Sequence, residues 1–200
     1  MLKIVTATRN KGKVKEIAGF LADLPVQVFS LDDFANIFEP EETGKTFAEN
    51  AALKANSYAL QTGVWSLADD SGLEVEALNN APGVYSARYG GIEASDNERI
   101  EKLLKEIGSA ENRRARFVCA MAVSDEKGEI KFTAEGICEG QIAFKSYGNG
   151  GFGYDPIFIP EGFSKTFGEL SNETKQQISH RKQAIYKIIQ QLRHFYTKRT

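Results

Sequence analysis

Residues 2–21 read LKIVTATRNKGKVKEIAGFL, and the fold class follows from this stretch. Leu2 to Thr8 is short, apolar and rich in β-branched residues, which is typical of a buried strand. Asn10 can cap the helix that follows it. Behind Asn10, four apolar residues recur at helical spacing: Val14, Ile17, Ala18 and Leu21. The chain therefore begins with a strand, a tight polar turn and a helix.

The same alternation continues beyond residue 21. Val26 to Leu31 is predicted as a second strand, and a capping box of Thr46 and Glu49 starts the next helix. Val64 to Ala68 is predicted as a short strand that ends abruptly at Asp69-Asp70-Ser71-Gly72. These parallel-type units place loops after strand ends, which is where such folds keep their ligands.

The second half of the chain is richer in strands. A second capping box, Ser95 with Glu98, starts a helix that Gly108 ends. Asn79 to Gly91 is predicted as a long loop, and an apolar stripe over Ala184–Leu192 predicts the last helix. Further strands are predicted at Leu73–Leu78, Ala115–Ser124, Glu129–Ile137 and Ile157–Ile159. The predicted fold class is α/β on a mixed sheet, and 200 residues fit one domain, 1–200.

Composition restricts the class of partner. The formal net charge is −2, so a nucleic-acid-binding module is not expected, and a partner that carries phosphates needs a local pocket of positive charge. The need for a local pocket favours a small nucleotide as the partner over a nucleic acid. Cys119 and Cys138 lie in apolar stretches, which indicates buried reduced thiols. No signal-peptide core and no stretch of about 20 apolar residues is present, so we expect a cytoplasmic protein without a membrane partner.

The first candidate site is the polar turn Thr8-Arg9-Asn10-Lys11-Gly12-Lys13. A helix N-terminus presents unpaired N–H groups and a partial positive charge, which suits a phosphate, and Lys11 and Lys13 would add full charges. The alternative is that Asn10 merely caps the helix and the lysines are solvated. The spacing leaves both open, because this is not a Walker-type loop.

Acidic residues supply the second candidate. Asp69-Asp70-Ser71-Gly72 is either an ordinary turn or a Mg²⁺–phosphate site, since Mg²⁺ takes one or two carboxylates plus substrate oxygens. One of these acids could also deprotonate the attacking water. The acidic loop, Glu39 to Gly44, is an ordinary solvated loop unless it reaches the metal. Lys54 shares a helix face with Asn50 and could clamp a phosphate if that face points inward.

Two further segments suit a flat ligand. Gly150-Gly151-Phe152-Gly153-Tyr154-Asp155-Pro156 would bring backbone and an aromatic ring close to a base, or would be a structural turn with buried rings. Ser179-His180-Arg181 begins the last helix, where His180 could donate to a carbonyl oxygen of a base. Taken together with the phosphate turn and the acids, these segments supply the parts that a nucleotide pocket needs.

Six motifs in this order resemble those of the inosine triphosphate pyrophosphatase family, the XTP/dITP diphosphatases, over essentially the full length. They are Thr8-x-Asn10-x-x-Lys13 with Glu16, Glu42-Thr43-Gly44-x-Thr46-Phe47-x-Glu49-Asn50-Ala51-x-x-Lys54-Ala55, Ala68-Asp69-Asp70-Ser71-Gly72-Leu73, Pro82-Gly83-Val84-Tyr85-Ser86-Ala87-Arg88, Gly150 to Pro156, and Ile178-Ser179-His180-Arg181. Arg9 departs from the pattern, because many relatives carry Gly there.

The resemblance implies an elongated α/β fold, with a central mixed β-sheet, flanking helices and two lobes around a substrate cleft. It also implies a homodimer that needs Mg²⁺. The reaction implied is hydrolysis of ITP, dITP and XTP to the monophosphate and pyrophosphate, which cleanses the nucleotide pool.

The resemblance also implies roles for individual residues. Asp70 would be general base and metal ligand, Glu42 the second metal ligand with Glu41 as the alternative, and Lys54 a catalytic lysine. The triphosphate would be bound by Thr8, Arg9, Asn10, Lys11, Gly12 and Lys13, with Lys54 and Lys175. Ser71 would contact the substrate, and the base would be held by Phe152, Gly153, Tyr154, Asp155, His180 and Arg181.

Two other functions remain open from the residues. One is a related pyrophosphatase that acts on modified pyrimidines or on ordinary nucleoside triphosphates. The other is a nucleotide-binding module without turnover, which would not need the acids Asp70 and Glu42 together with Lys54.

Overall fold

The computed structural model describes residues 1–9 and 11–197, without the side chains at positions 11, 12 and 16. Within these residues, six strands form one sheet and five α-helices accompany it. The strands are β1 (Leu2–Thr6), β2 (Val26–Ser30), β3 (Trp65–Val75), β4 (Arg114–Ser124), β5 (Ile130–Ile142) and β6 (Phe158–Pro160). The α-helices are α1 (Lys11–Leu21), α2 (Phe47–Thr62), α3 (Asp96–Ile107), α4 (Asn172–Ile178) and α5 (His180–Thr197).

The sheet has the order β2-β1-β3-β4-β5-β6. β1 runs parallel to β2 and to β3, whereas β5 and β6 are antiparallel. β4 and β5 are joined by a turn in which the Asp125 carboxylate accepts hydrogen bonds from the backbone N–H groups of Lys127 and Glu129, at 3.0 and 2.9 Å. The predicted α/β class with a mixed sheet is confirmed.

One strand differs from its prediction. The sequence predicts a strand end at Asp69 and a separate strand at Leu73–Leu78, and this is wrong, because β3 runs without a break from Trp65 to Val75. Neighbouring strand residues point to opposite faces. Asp69 is paired with Lys13 of α1, and Asp70 with Lys54 of α2. Because each carboxylate has a partner, both can lie inside a strand instead of in a turn.

Smaller differences concern element ends. β1 ends at Thr6, β5 continues beyond Ile137 to Ile142, and Glu76–Leu78 is a short 3₁₀ turn. The predicted loop Asn79–Gly91 contains a 3₁₀ helix, Gly83–Arg88. The start of β3 and both ends of α3 agree with the sequence to within a residue or two, which is the usual precision of such boundaries.

The starts of α2 and α3 follow the predicted caps. The Ser95 hydroxyl accepts a hydrogen bond from the backbone N–H of Glu98 at 3.3 Å, and the Glu98 carboxylate accepts one from the N–H of Ser95 at 2.8 Å. At α2 the Thr46 hydroxyl accepts from Glu49 N–H at 3.1 Å, but the Glu49 carboxylate accepts from Lys45 N–H at 2.6 Å. In a regular capping box the Glu49 carboxylate would accept from the backbone N–H of Thr46, whereas here it accepts from that of Lys45. This contact fixes the end of the acidic loop to the helix.

The chain divides into two compact units. The first comprises Met1–Asp70, Cys119–Gly136 and the chain from Gln183 onward, and the second comprises Ser71–Val118 and Ile137–Lys182. Each unit has its own apolar core. The core of the first includes Ile4, Leu67, Met121, Ile185 and Leu192, and that of the second includes Leu73, Leu103, Phe117, Phe158 and Phe167. The single domain 1–200 and the substrate cleft stay predictions.

The structure also bears on the two cysteines and on the apolarity of the helices. Cys119 and Cys138 are both buried, as expected, and burial raises the pKa of the Cys138 thiol to about 11. In the part of the chain that the structure describes, none of the helices has the length and apolarity needed to cross a membrane.

The second core gives a test of stability. Leu103 of α3 is fully buried, so Leu103→Ala should lower the free energy of unfolding by about 2–5 kcal/mol, from lost burial and the cavity left behind. The measurement is urea unfolding. Leu60→Ala is the matched control, because Leu60 is 59% exposed and its truncation should change that free energy by less than about 0.5 kcal/mol. Equal losses in the two variants would contradict the assignment of this core.

Candidate active site

Helix α2 directs two polar side chains at Asp70. Asn50 and Lys54 are one turn apart and share a face of the helix. The Asn50 amide donates to Asp70 Oδ2 at 3.1 Å, and the Lys54 ammonium donates to Asp70 Oδ1 at 3.3 Å. Both oxygens of the Asp70 carboxylate are therefore held by groups on α2.

The acidic loop reaches the same place. The Lys54 ammonium also donates to Glu42 Oε1 at 2.7 Å, so Glu42 and Asp70 face a common cation. Glu41 is exposed. For Glu42 the interpretation as an ordinary solvated loop residue is therefore wrong. We refer to Glu42, Asn50, Lys54 and Asp70 as the carboxylate cluster.

Burial and charge oppose each other in this cluster. Burial, together with the nearby charge of Glu42, raises the pKa of Asp70 above its ordinary value and outweighs the opposite effects of the Lys54 charge and of the hydrogen bonds from Asn50 and Lys54. For Lys54, burial alone would lower the pKa, but the carboxylates of Asp70 and Glu42 outweigh it, so the pKa is raised. Lys54 therefore stays charged at neutral pH, and Asp70 accepts a proton more readily than an exposed aspartate does.

The carboxylate cluster fits a divalent ion that takes only part of its ligands from the protein. Among the described residues, no three His, Cys, Asp or Glu side chains gather into a group that could hold an ion. Glu42 and Asp70 nevertheless converge on one ammonium group, which places two carboxylates around a common point. Mg²⁺ needs no more than this from the protein, since phosphate oxygens and waters complete its shell. The donor set thus fits Mg²⁺ and does not fit a cage built entirely from protein ligands.

The predicted phosphate turn lies partly within the described residues. The Lys13 ammonium donates to Asp69 Oδ2 at 2.7 Å, and the Asp69 side chain is 2% exposed. The exposed Arg9 donates to the carbonyl of Ile37 at 3.2 Å, and the backbone N–H of Thr8 donates to Thr6 O at 2.8 Å. Asn10 and the side chain of Lys11 lie outside the described residues, and of Gly12 only its place in α1 is described. The turn does stand between β1 and α1, as predicted.

The second unit contains the glycine-rich segment. The buried Asp155 carboxylate accepts a hydrogen bond from the backbone N–H of Phe152 at 2.8 Å and pairs with the Lys175 ammonium. That ammonium lies 4.7 Å from the centroid of the Phe152 ring, a cation–π distance. The Phe152 ring is 57% exposed, whereas Tyr154 is buried and donates to the carbonyl of Ser86. The ring of Tyr154 is therefore structural, as the alternative interpretation requires, whereas the ring of Phe152 is exposed.

Helix α5 begins with the predicted pair. The hydroxyl of Ser179 accepts from the backbone N–H of Lys182 at 3.2 Å and caps the helix. His180 and Arg181 are both buried. The His180 ring stacks on Phe117 with centroids 4.9 Å apart, and Arg181 donates to the hydroxyl of Ser71 at 3.4 Å. The structure thus brings Ser71 and Arg181 together, 110 positions apart in sequence.

Three residues support the site in ways that the sequence does not predict: Asn50 and Asp96 have no predicted role, and Asp69 is predicted only as part of a turn or of a Mg²⁺–phosphate site. Asn50 holds Asp70, Asp69 holds Lys13, and Asp96 at the start of α3 accepts from the backbone N–H of Gly153 at 2.6 Å. Helical spacing had placed Asn50 on the face of Lys54, so a signal for it existed. Asp69 and Asp96 pair with residues 56 and 57 positions away, and such pairing has no local pattern in a sequence.

The glycine-rich segment supports a stability test. Gly151 and Gly153 both have positive φ, +78° and +59°, so alanine is strained at each by about 1–2 kcal/mol. At Gly151 the added Cβ would also overlap the Asp155 carboxylate, whereas at Gly153 it meets open space. Gly151→Ala should therefore lower the free energy of unfolding by at least about 1 kcal/mol more than Gly153→Ala, measured with urea. A larger loss for Gly153→Ala would contradict the packing around Asp155.

Comparison with known proteins gives consistent relatives. The model of the Ham1 family matches residues 4–191. A protein of a Nostoc species named dITP/XTP pyrophosphatase is 48% identical over 186 residues, which cover 93% of this chain and 92% of that one. The solved HAM1 protein of Coxiella burnetii has a TM-score of 0.89 and 43% identity, over 94% of this chain and 96% of that one. The Staphylococcus aureus Ham1 protein has a TM-score of 0.88 and 43% identity, over 99% and 100%. The chain belongs to the Ham1 family.

Proposed function

We propose that this protein hydrolyses deaminated purine nucleoside triphosphates, namely ITP, dITP and XTP, to the monophosphate and pyrophosphate. The observation that carries the proposal is the carboxylate cluster, in which a buried aspartate, a second acid and a charged lysine converge. Water attacks the α-phosphorus, the bond from that phosphorus to the oxygen bridging to the β-phosphorus breaks, and pyrophosphate leaves with the bridging oxygen.

Asp70 is proposed as the general base. Its raised pKa makes it a better proton acceptor than an exposed aspartate, and its carboxylate is fixed at both oxygens. Glu42 and Asp70 would hold Mg²⁺. The ion would supply charge neutralisation and polarisation of phosphate oxygens when bound. Lys54 stays charged in the buried site and is suited to stabilise the negative charge that gathers on the phosphates.

The triphosphate is assigned to the turn before α1. Thr8, Lys13 and the positive end of α1 suit phosphate oxygens, and Asp69 keeps the Lys13 ammonium in one place. The family resemblance adds Arg9, Asn10, Lys11 and Gly12 to this group. It also adds Lys175, whose ammonium pairs with Asp155 beside the Phe152 ring.

The base is assigned to residues of the second unit. Phe152 offers an exposed ring for stacking, and Gly153, Tyr154 and Asp155 shape the backbone beside it. Deamination turns the 6-amino donor of adenine into a 6-oxo acceptor. Donors from His180 and Arg181 would pair with that acceptor and leave adenine badly paired, which gives about ten- to hundredfold selectivity. Ser71, bonded to Arg181, would contact the substrate.

The resemblance to the family also supports three wider proposals. The protein would be a homodimer, would act in the cytoplasm and would form a single catalytic domain, 1–200. Its role there would be to remove deaminated nucleotides from the pool before they are used in nucleic-acid synthesis.

The reaction is tested by its products. Phosphate and pyrophosphate release are measured from ITP, dITP, XTP, GTP, ATP and dUTP, with Mg²⁺ and with EDTA. Pyrophosphate should appear from ITP, dITP and XTP, and EDTA should abolish it, because without the metal ion the two carboxylates repel the phosphates and the phosphate oxygens are not polarised. Orthophosphate in place of pyrophosphate would contradict the bond assigned, and equal turnover of ATP or dUTP would contradict the base.

A substitution separates an enzyme from a binding module. Asp70→Asn keeps the size of the side chain and removes the base, so kcat for ITP should fall by at least about a hundredfold while ITP still binds. Binding is followed by isothermal titration calorimetry. Asp32→Asn is the control, because Asp32 is exposed on the short turn Leu31–Asp33. An Asp70→Asn protein with wild-type turnover would remove Asp70 from the mechanism.

A further inference from the structure

The amide of Asn50 is the most deeply buried polar group of the carboxylate cluster. Asn50 is 0% exposed, and both ends of its side chain are used. The amide nitrogen donates to Asp70 Oδ2 at 3.1 Å, and the amide oxygen accepts from the backbone N–H of Gly44 at 2.8 Å. This one side chain therefore connects the proposed base on β3 with the acidic loop that carries Glu42.

The backbone of the loop is built for this contact. A Cβ at Gly44 would lie 2.5 Å from the oxygen of Asn50 and 2.8 Å from the Cβ of Glu49, distances that real atoms do not tolerate. Glycine alone lets the loop approach α2 so closely. The hydrogen bond from Lys45 N–H to Glu49 then fixes the next residue to the same turn of the helix.

The chemistry of the site requires an amide here. Gly44 offers a donor and Asp70 an acceptor, so the residue between them must accept at one end and donate at the other. Asn does both without charge. An aspartate could still accept from Gly44 N–H, but it would place a second carboxyl group against Asp70 in place of a donor.

We propose that Asn50 is a positioning residue of the pyrophosphate-releasing reaction: its amide orients the Asp70 carboxylate and holds the acidic loop beside it. The inference rests on the proposed function and deepens it. Lys54 holds the other oxygen of Asp70, so loss of Asn50 leaves the carboxylate free to rotate about a single remaining contact from α2. Rotation misplaces the base relative to the attacking water, which costs rate more than binding.

Asn50→Asp is the decisive variant. It keeps size and the contact with Gly44 N–H, and it removes the neutral donor to Asp70. The kcat for ITP should fall about ten- to hundredfold, whereas KM should stay within about threefold, because the substrate-binding residues are untouched. A residue that only supported the loop would not give this split between kcat and KM.

The same helix provides the control. The amide of Asn56, also on α2, donates to the carbonyl of Gly128 at 2.7 Å and contacts no member of the carboxylate cluster in the hydrogen bonds described. Asn56→Asp should leave kcat and KM for ITP within about twofold of the wild-type protein. Melting temperatures of both variants establish that each is folded at the assay temperature.

Asn50→Ala separates the two contacts. It removes the acceptor for Gly44 as well, so hydrogen–deuterium exchange across residues 41–45 should accelerate in Asn50→Ala and stay near wild type in Asn50→Asp. This readout is independent of turnover. If Asn50→Asp does not fold, Asn50→Ala alone tests the proposal. It must then show both the faster exchange and the lower kcat.

The outcomes are separable from those of the proposed function. If the wild-type protein releases pyrophosphate and Asn50→Asp has the wild-type kcat, the positioning role is overturned and the proposed function stands. The same holds if Asn50→Asp changes KM alone. Unchanged exchange at residues 41–45 in Asn50→Ala would overturn the loop contact. If the wild-type protein releases no pyrophosphate, the proposed function itself fails.

Discussion

The ion pairs of Lys54 with Asp70 and Glu42 are the interaction on which the rest of the site depends. Two carboxylates in a partly buried place repel each other and lose water, so they can face one point only if a cation stands between them. Lys54 supplies that charge from α2. Because Lys54 lies on α2, the packing of that helix determines where its ammonium group is held.

The packing and capping of α2 therefore determine the geometry of the carboxylate cluster. Phe47, Ala51 and Ala55 bury one face of α2 and set its rotation, which turns Asn50 and Lys54 toward Asp70. Thr46 fixes where the helix begins, and the absence of a side chain at Gly44 lets the acidic loop lie against its first turn. We expect a change at any of these residues to displace the carboxylates.

Much of this could be predicted from the sequence, and the reasons for the rest are physical. Periodicity and caps predicted α1, α2, α3 and α5 and the mixed sheet, because these patterns are local in the chain, whereas the short helix α4 was not predicted. The break at Asp69 was wrong, because Asp-Asp-Ser-Gly has the composition of a turn and its long-range partners Lys13 and Lys54 are invisible to local pattern. Motifs identified Asp70 and Glu42, but not that one lysine joins them.

The pKa of Asp70 connects this arrangement with stability. The pKa of Asp70 in the folded protein lies above its ordinary value, so the folded protein binds the proton of this carboxyl group more tightly than the unfolded chain does. The contribution of this group to stability is therefore full below the ordinary carboxyl pKa and is lost as pH rises through the raised value. The ionised form of Asp70 is therefore the costlier form in the fold, and Lys54, whose raised pKa keeps it charged, offsets part of that cost. A neutral side chain at position 70 would avoid this cost but could not take a proton from water, so the proposed role of Asp70 as general base accounts for an ionisable group at this position.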